Sequence, residues 1–348
     1  MIKEKVGIVG YGVSIPYARL KTNDIAVAWE RANNPGISLQ VQEKAVPNFD
    51  EDTVTLSVEA AINALERGNI EADLIKAVYI GSESHPYAVK PSSGIVAEAL
   101  GVNPFNFSAD TEFACKAGTA AMQIVLGLVA SGIIDYGLAI GADTAQAAPG
   151  DALEYSAAAG AGAYILGKER LLAKFIDTLS FTSDTPDFWR RPKEIYPKHG
   201  GRFTGKPAYF RHIQEATDAF LKKTNTKPKN YDHVVFHMPN GKFPRLIAKK
   251  LGFSDTQIQT GLIVDQIGNP YSAASMIGLA RVLDNAKPEQ MILVTSYGSG
   301  AGSDTLSLLT TRELPSARNK AKTTDQYISH KKYISYTRYT RMKGKLLI

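Results

Sequence analysis

Four residues of this 348-residue chain are of types that carry out covalent and proton-transfer chemistry, and they stand at the ends of apolar runs: Glu83, Cys115, His237 and Asn269. Cys115, the only cysteine, lies in TEFACKAGTAAMQ, where an apolar run with helical spacing begins. Unpaired amides and the helix dipole at such an end stabilise a thiolate, and a nearby protonated histidine adds to this. The position therefore fits a nucleophile better than a small core residue. His237 closes the strand-like HVVFH and enters the turn-rich MPNGKFP, the placement expected of an acid/base group. The other five histidines read as including ordinary hydrogen-bonded ones. Asn269, in GNPYSAAS, is placed to orient the imidazole or to donate to a bound carbonyl.

Glu83, in YIGSESHP, ends a buried strand, where a carboxylate is costly unless it is paired or functional. Desolvation there raises its pKa and makes it a usable base; a salt bridge to a local Lys or Arg is the plain alternative. The Gly-rich YGSGAGSD, residues 297–304, offers backbone N–H groups to an oxyanion. It fits no phosphate-binding fingerprint, because it joins two strands and lacks the Walker lysine. No metal site is expected: the histidines lack ligand spacing and there is no second cysteine.

These residues need a scaffold, and strand and helix patterns alternate along the chain. Strands are predicted over 5–14, 77–82, 136–144, 160–166, 173–182, 233–238, 291–297 and 305–310, and helices over 53–67, 92–100, 115–131, 208–222, 243–251 and 272–283. The rhythm predicts an α/β fold with a largely parallel sheet covered on both faces. Its two passes share one order of elements, which points to an internal duplication. One offset of 154 residues carries Glu83 to His237 and Cys115 to Asn269. Halves related by a two-fold bring such equivalent ends together, at the carboxyl ends of strands where α/β folds bind ligands.

Composition excludes other classes. Hydrophobic residues at 44% and charged residues at 21% describe an ordinary globular chain. The net charge of +6 suggests an anionic partner until it is located: nine of the 40 basic residues, against one of the 34 acidic ones, lie from Arg318 onward. The remaining 31 and 33 leave the body at −2. That basic, tyrosine-rich tail reads as a solvated terminus or a segment docking on another subunit, and no nucleic-acid partner is expected. Residues 117–134 carry too many small and polar residues for a membrane span. The opening sequence lacks a signal-peptide pattern and the lone thiol suits a reducing compartment, so a cytoplasmic location is expected.

FACKAGTAA, VVFHMPNGKFP, GNPYSAAS and YGSGAGSD, in this order and approximate spacing, resemble the thiolase superfamily, in particular the archaeal type of 3-hydroxy-3-methylglutaryl-CoA synthase. The similarity runs through about residue 310. Initiating ketoacyl synthases share the Cys, His and Asn but form their carbanion by decarboxylation; Glu83 separates the two, and thiolases normally need a second cysteine. A noncatalytic scaffold of the same fold is the remaining alternative. The resemblance implies a thiolase fold of two duplicated βαβαβαββ halves, layered α-β-α-β-α, with halves 1–170 and 171–348 and the tail from about 318. It implies condensation of acetyl-CoA with acetoacetyl-CoA in the mevalonate route through an acetyl-Cys115 thioester, with Glu83 removing the methyl proton and His237, supported by Asn269, serving the ketone oxygen. It places amides near Cys115 and Ser299 on the enolate, Ser156 and Thr204 in the acyl pocket, and Lys242, Arg245, Lys206 and Arg31 on the CoA phosphates. No cofactor beyond the CoA thioesters is implied. A homodimer is implied, as is an assembly with acetoacetyl-CoA thiolase and a small zinc-containing OB-fold protein. Two features depart from bacterial and eukaryotic synthases: Lys116 and Ala117 follow the cysteine in place of a Gly-rich sequence, and the C-terminal half lacks long insertions.

Overall fold

The computed structural model describes residues 5–145 and 147–344. Nine strands form one sheet: β1 (Gly7–Ser14), β2 (Ile75–Gly81), β3 (Phe107–Thr111), β4 (Tyr136–Thr144), β5 (Ala159–Gly167), β6 (Ala173–Thr182), β7 (His233–Phe236), β8 (Met291–Thr295) and β9 (Gly302–Thr310). Their order is β7-β8-β9-β6-β1-β5-β4-β2-β3. Outward from the short β1–β6 join, at Gly7 and Ile8 against Lys174 and Ala173, the two sides repeat one another: β1, β5, β4, β2 on one and β6, β9, β8, β7 on the other. The sheet is mixed rather than largely parallel. Strands pair in parallel only where a helix crosses between them, at β2–β3, β2–β4 and β7–β8. The neighbouring pairs β4–β5 and β8–β9, joined without such a helix, run antiparallel, the direction a return connection imposes.

The helices complete the layers. The first half has α1 (Thr53–Gly68), α2 (Ser92–Leu100) and α3 (Ala117–Ala130); the second has α4 (Arg211–Thr224), α5 (Lys242–Leu251) and α6 (Ala274–Asn285). α1 starts at a capping box between Asp52 and Thr55 and packs on β1, β5 and β4, while α4 packs on β9 and β6. Between the two parts of the sheet lie α3 and α6, whose mostly apolar surfaces join residues of both halves in the largest core. Separate outer cores lie under α1 and α2 and under α4 and α5. This is the five-layered α-β-α-β-α arrangement.

The central helices pack closely enough to demand glycine. A Cβ on Gly141 of β4 would lie 2.6 Å from the Ser272 carbonyl, and one on Gly118 of α3 would lie 2.8 Å from Gly141 Cα. Both helices begin in the same way: a residue with left-handed backbone, Ala114 (φ 43°) or Tyr271 (φ 47°), opens a tight turn that leads into α3 or α6. By this match the counterpart of Cys115 is Ser272, and Asn269 stands three residues earlier. The single offset failed there because the connection before α6 is longer than the one before α3.

The tail packs on its own chain. Residues Lys332–Tyr333 add a parallel strand beside Ala18–Lys21, and the Lys331 ammonium (2.6 Å) and Tyr333 hydroxyl (2.7 Å) donate to Glu43. The Tyr327 hydroxyl donates to Glu59 at 2.6 Å, and Tyr327, Ile328, Ile334 and Tyr339 are buried. These contacts exclude a free terminus over the described residues; Lys345 and the residues after it lie outside them. Removing residues 324–348 strips four buried side chains of order 2 kcal/mol each, so the thermal midpoint should fall by about 10 °C or more. Calorimetry checks this, and a parent-like melt would contradict it.

Candidate active site

Cys115 sits in the tight turn Ala114–Lys116 ahead of α3 and is 4% exposed. Its Sγ lies 3.4 Å from Oε1 of Glu83, two residues beyond the end of β2. Burial pushes the thiol pKa well up, the charges of Glu83 and Asp143 push it further, and the Ser299 amide, directed at the sulfur, pulls it down. The expectation of a thiolate stabilised at rest is thus overturned. The helix start is present, but burial, reinforced by the charges of the two carboxylates, outweighs it. Glu83 is itself pushed well above the usual carboxylate range, first by burial and then by Asp143, which makes it a base strong enough for a weakly acidic C–H.

Asp143, near the end of β4, holds this corner together and was not singled out in the sequence. Its Oδ1 accepts from Ser82 Oγ (2.7 Å), Ser84 Oγ (2.6 Å) and the Glu83 amide (2.9 Å), and its Oδ2 from the Ser272 amide (2.8 Å) and hydroxyl (2.6 Å). One buried carboxylate therefore ties the Glu83 loop of the first half to the start of α6 in the second. The signal was available, since Asp143 is an acid in the apolar run YGLAIGADT.

His237 follows β7 and is buried, with its amide donating to Thr295 O (2.9 Å) and its carbonyl accepting from Tyr209 (2.7 Å). Burial lowers its pKa to about 3, so the ring is neutral at physiological pH and not the imidazolium expected beside a thiolate. Its Nδ1 has no hydrogen-bond partner among the described residues. Because the unfolded chain binds this proton near pH 6.5 and the folded chain only near 3, stability should fall as pH drops from about 6.5 toward 3, by up to about 1.36 kcal/mol per unit. Urea denaturation at pH 7 and 5 checks this. His237→Gln should lose that part of the slope, and an identical slope in both proteins would contradict it.

Asn269 is fixed through its backbone to Ser156, its amide donating to Ser156 O at 2.7 Å, while its Oδ1 accepts from the Tyr271 amide at 3.0 Å. Cys115, Ser156, Thr204, His237, Asn269 and Ser299 all line one cavity of about 180 Å³, with Leu153, Phe188, Tyr209, Phe243, Tyr271 and Tyr297 as its largely apolar wall. Glu83 faces an adjoining cavity of about 270 Å³ with Asp52, Ser84 and Arg190, and Tyr271 borders both. Glu83 thus touches the sulfur from the far side. Tyr271 also went unnoticed; beyond the turn-forming Asn-Pro before it, nothing in the sequence marks it.

The four candidate CoA-binding cations are not in the cavity. Lys206 and Lys242 are exposed, on segments whose neighbours Gly205, Asn240 and Phe243 line it. Arg245 donates to Gln40 Oε1 (3.0 Å) and Gly241 O (2.6 Å) and borders a separate cleft; Arg31 donates to Gly150 O (3.1 Å). Among the described residues no group of three or more His, Cys, Asp or Glu could hold a metal ion, and no helix is long and apolar enough to cross a membrane.

Two duplicated halves meeting at a buried cysteine and histidine, with a half-buried glutamate against the sulfur, define an enzyme of thiolase fold that forms carbon–carbon bonds on acyl thioesters. The family described as 3-oxoacyl-[acyl-carrier-protein] synthase III C terminal matches residues 221–309. The chain is 54% identical over 346 residues, 99% of both chains, to the hydroxymethylglutaryl-CoA synthase of Methanococcus vannielii, and 51% identical over 344 residues, 99% of this chain and 98% of the other, to that of Methanopyrus kandleri. Among solved structures, an HMG-CoA synthase complexed with CoA superposes with a TM-score of 0.88 at 23% identity, covering 97% of this chain and 90% of that one. MvaS in complex with 3-hydroxy-3-methylglutaryl coenzyme A gives 0.91 at 22%, covering 99% and 93%. The chain belongs to the hydroxymethylglutaryl-CoA synthase family.

Proposed function

We propose that this chain condenses acetyl-CoA with acetoacetyl-CoA and water to give 3-hydroxy-3-methylglutaryl-CoA and CoA, with the following division of labour. The Cys115 sulfur attacks the acetyl carbonyl, CoA leaves as its thiol with the cysteine proton, and an acetyl thioester remains on Cys115. Glu83 removes a proton from the acetyl methyl, and the amides of Cys115 and Ser299 carry the enolate charge. The methylene carbon adds to the ketone carbon of acetoacetyl-CoA. The new alkoxide takes a hydrogen bond on the His237 side, with Asn269 fixing the ketone, and is neutralised by the proton that Glu83 had removed, which leaves Glu83 ionised again. Glu83 then takes a proton from water as the hydroxide adds to the thioester, that proton passes to the departing Cys115 sulfur, and the product acid loses its own proton to solvent.

The observation that carries this reading is the 3.4 Å approach of a raised-pKa carboxylate to the sulfur that would bear the acetyl group. The cavity supports it: its apolar wall suits an acyl chain and excludes water, and Ser156 and Thr204 line it beside the sulfur. Lys206 and Lys242, at its rim, are placed to meet the CoA phosphates, with Arg245 and Arg31 farther out. The chain is read as two thiolase-like halves, 1–170 and 171–348. The resemblance extends the proposal to a cytoplasmic homodimer assembled with acetoacetyl-CoA thiolase and a zinc-containing OB-fold protein. Mass analysis of the products from both thioesters tests the reading: hydroxymethylglutaryl-CoA should accumulate, and CoA release without it would contradict the condensation.

A further inference from the structure

Immediately after the nucleophile, Lys116 is a lysine 4% exposed in the interior. Its Nζ lies 3.0 and 3.1 Å from the two carboxylate oxygens of Asp304, which is 0% exposed, and 3.8 Å from the centroid of the Phe113 ring. Asp304 also accepts from Thr119 Oγ1 and Ser180 Oγ, both at 2.8 Å. A buried ion pair of this kind seldom adds net stability over an apolar pair of similar size, because desolvation offsets the attraction. Its location suggests another use. Lys116 belongs to the first half and adjoins Cys115, whereas Asp304 opens β9 of the second half, just past the loop that carries Ser299. The two loops are pressed together: a Cβ on Gly298 would lie 2.4 Å from the Phe113 carbonyl and 3.1 Å from the Lys116 side chain.

We propose that the Lys116–Asp304 pair is a positioning device that sets the spacing between the amides of Cys115 and Ser299, and so the rate at which Cys115 forms its thioester. The inference rests on the reading of Cys115 given above. The two amides belong to different halves, and their convergence is only as accurate as the tie between the segments that carry them. The pair is that tie, bidentate at the carboxylate and closed off by Phe113. Its effect falls on the step that builds negative charge on the acyl oxygen, where misplaced donors cost most.

The test compares two reactions of the same sulfur. Acetylation by acetyl-CoA passes through an oxyanion; alkylation by iodoacetamide displaces iodide from a saturated carbon and builds none. In the neutral double variant Lys116→Met/Asp304→Asn, acetylation at saturating acetyl-CoA should slow by about 10- to 100-fold and by at least about fivefold more than alkylation, which loses only the Ser299 amide's pull on the thiol. Lys116→Arg, which keeps the charge on a longer and planar head, is read in the same way should the double variant fail to fold, with a loss of roughly threefold or more expected. A folded variant in which both rates hold, or both fall together, overturns the proposal. Absence of acetylation in the parent itself would instead overturn the reading of Cys115, and this inference with it.

Discussion

Glu83→Gln should stop condensation while sparing acetyl transfer to Cys115, with turnover reduced by about 10³- to 10⁴-fold, the contribution expected of a positioned general base. The separation of steps follows from the electrostatics. The charge of Glu83 raises the thiol pKa, so neutralising it makes the sulfur easier to ionise and leaves the first half-reaction intact. The second needs a carboxylate within reach of the methyl group, and no other acid touches Cys115 Sγ among the described residues. The pH dependence has a definite sign. Glu83 works ionised and its pKa is raised by burial and by Asp143, so kcat should climb with pH through a value above the usual carboxylate range. Asp143→Asn removes the second of these causes and should move that limb downward. Equal losses of acetylation and turnover in Glu83→Gln, measured by quenched-flow mass analysis, would count against the assignment.

The second large effect belongs to Asp143, a residue that need not touch substrate. Asp143→Ala leaves five donors in a buried corner without their acceptor and releases the Glu83 loop from α6. Stability should fall by about 3 kcal/mol, the scale of an acceptor lost from a buried charged network. Turnover of the folded fraction should fall by about 100-fold, because the base loses its place relative to the sulfur. Chemical denaturation and active-site-normalised rates separate the two effects. A stable, fully active Asp143→Ala would remove the argument that this carboxylate unites the halves.

Much of this arrangement was legible before any coordinates, for a physical reason. Apolar runs that end in a single reactive residue mark both a buried strand and a site beyond its end, so Glu83 and His237 stood out together. Cys115 did so at a helix start. What the sequence hid were properties set by neighbours distant along the chain. Nothing near Cys115 announces that burial, and behind it the charges of Glu83 and Asp143, raise its pKa in place of lowering it. The antiparallel strands were hidden because an apolar run does not state its direction. β3 escaped notice because its Phe107 lies half in solvent at the sheet edge, without the alternation of a covered strand. The tail looked solvated because its lysines and arginines mask four buried residues spaced among them, Tyr327, Ile328, Ile334 and Tyr339.

The central claim, that a sulfur from one half and an acid beside it divide the chemistry into two half-reactions, is tested most directly by intact-mass measurement. With acetyl-CoA alone, the parent protein and Glu83→Ala should each gain one acetyl group and Cys115→Ala none. On adding acetoacetyl-CoA the parent should return to its unmodified mass while Glu83→Ala stays acetylated. Acetylation that persists in Cys115→Ala, or discharge at the parent rate in Glu83→Ala, would contradict the account.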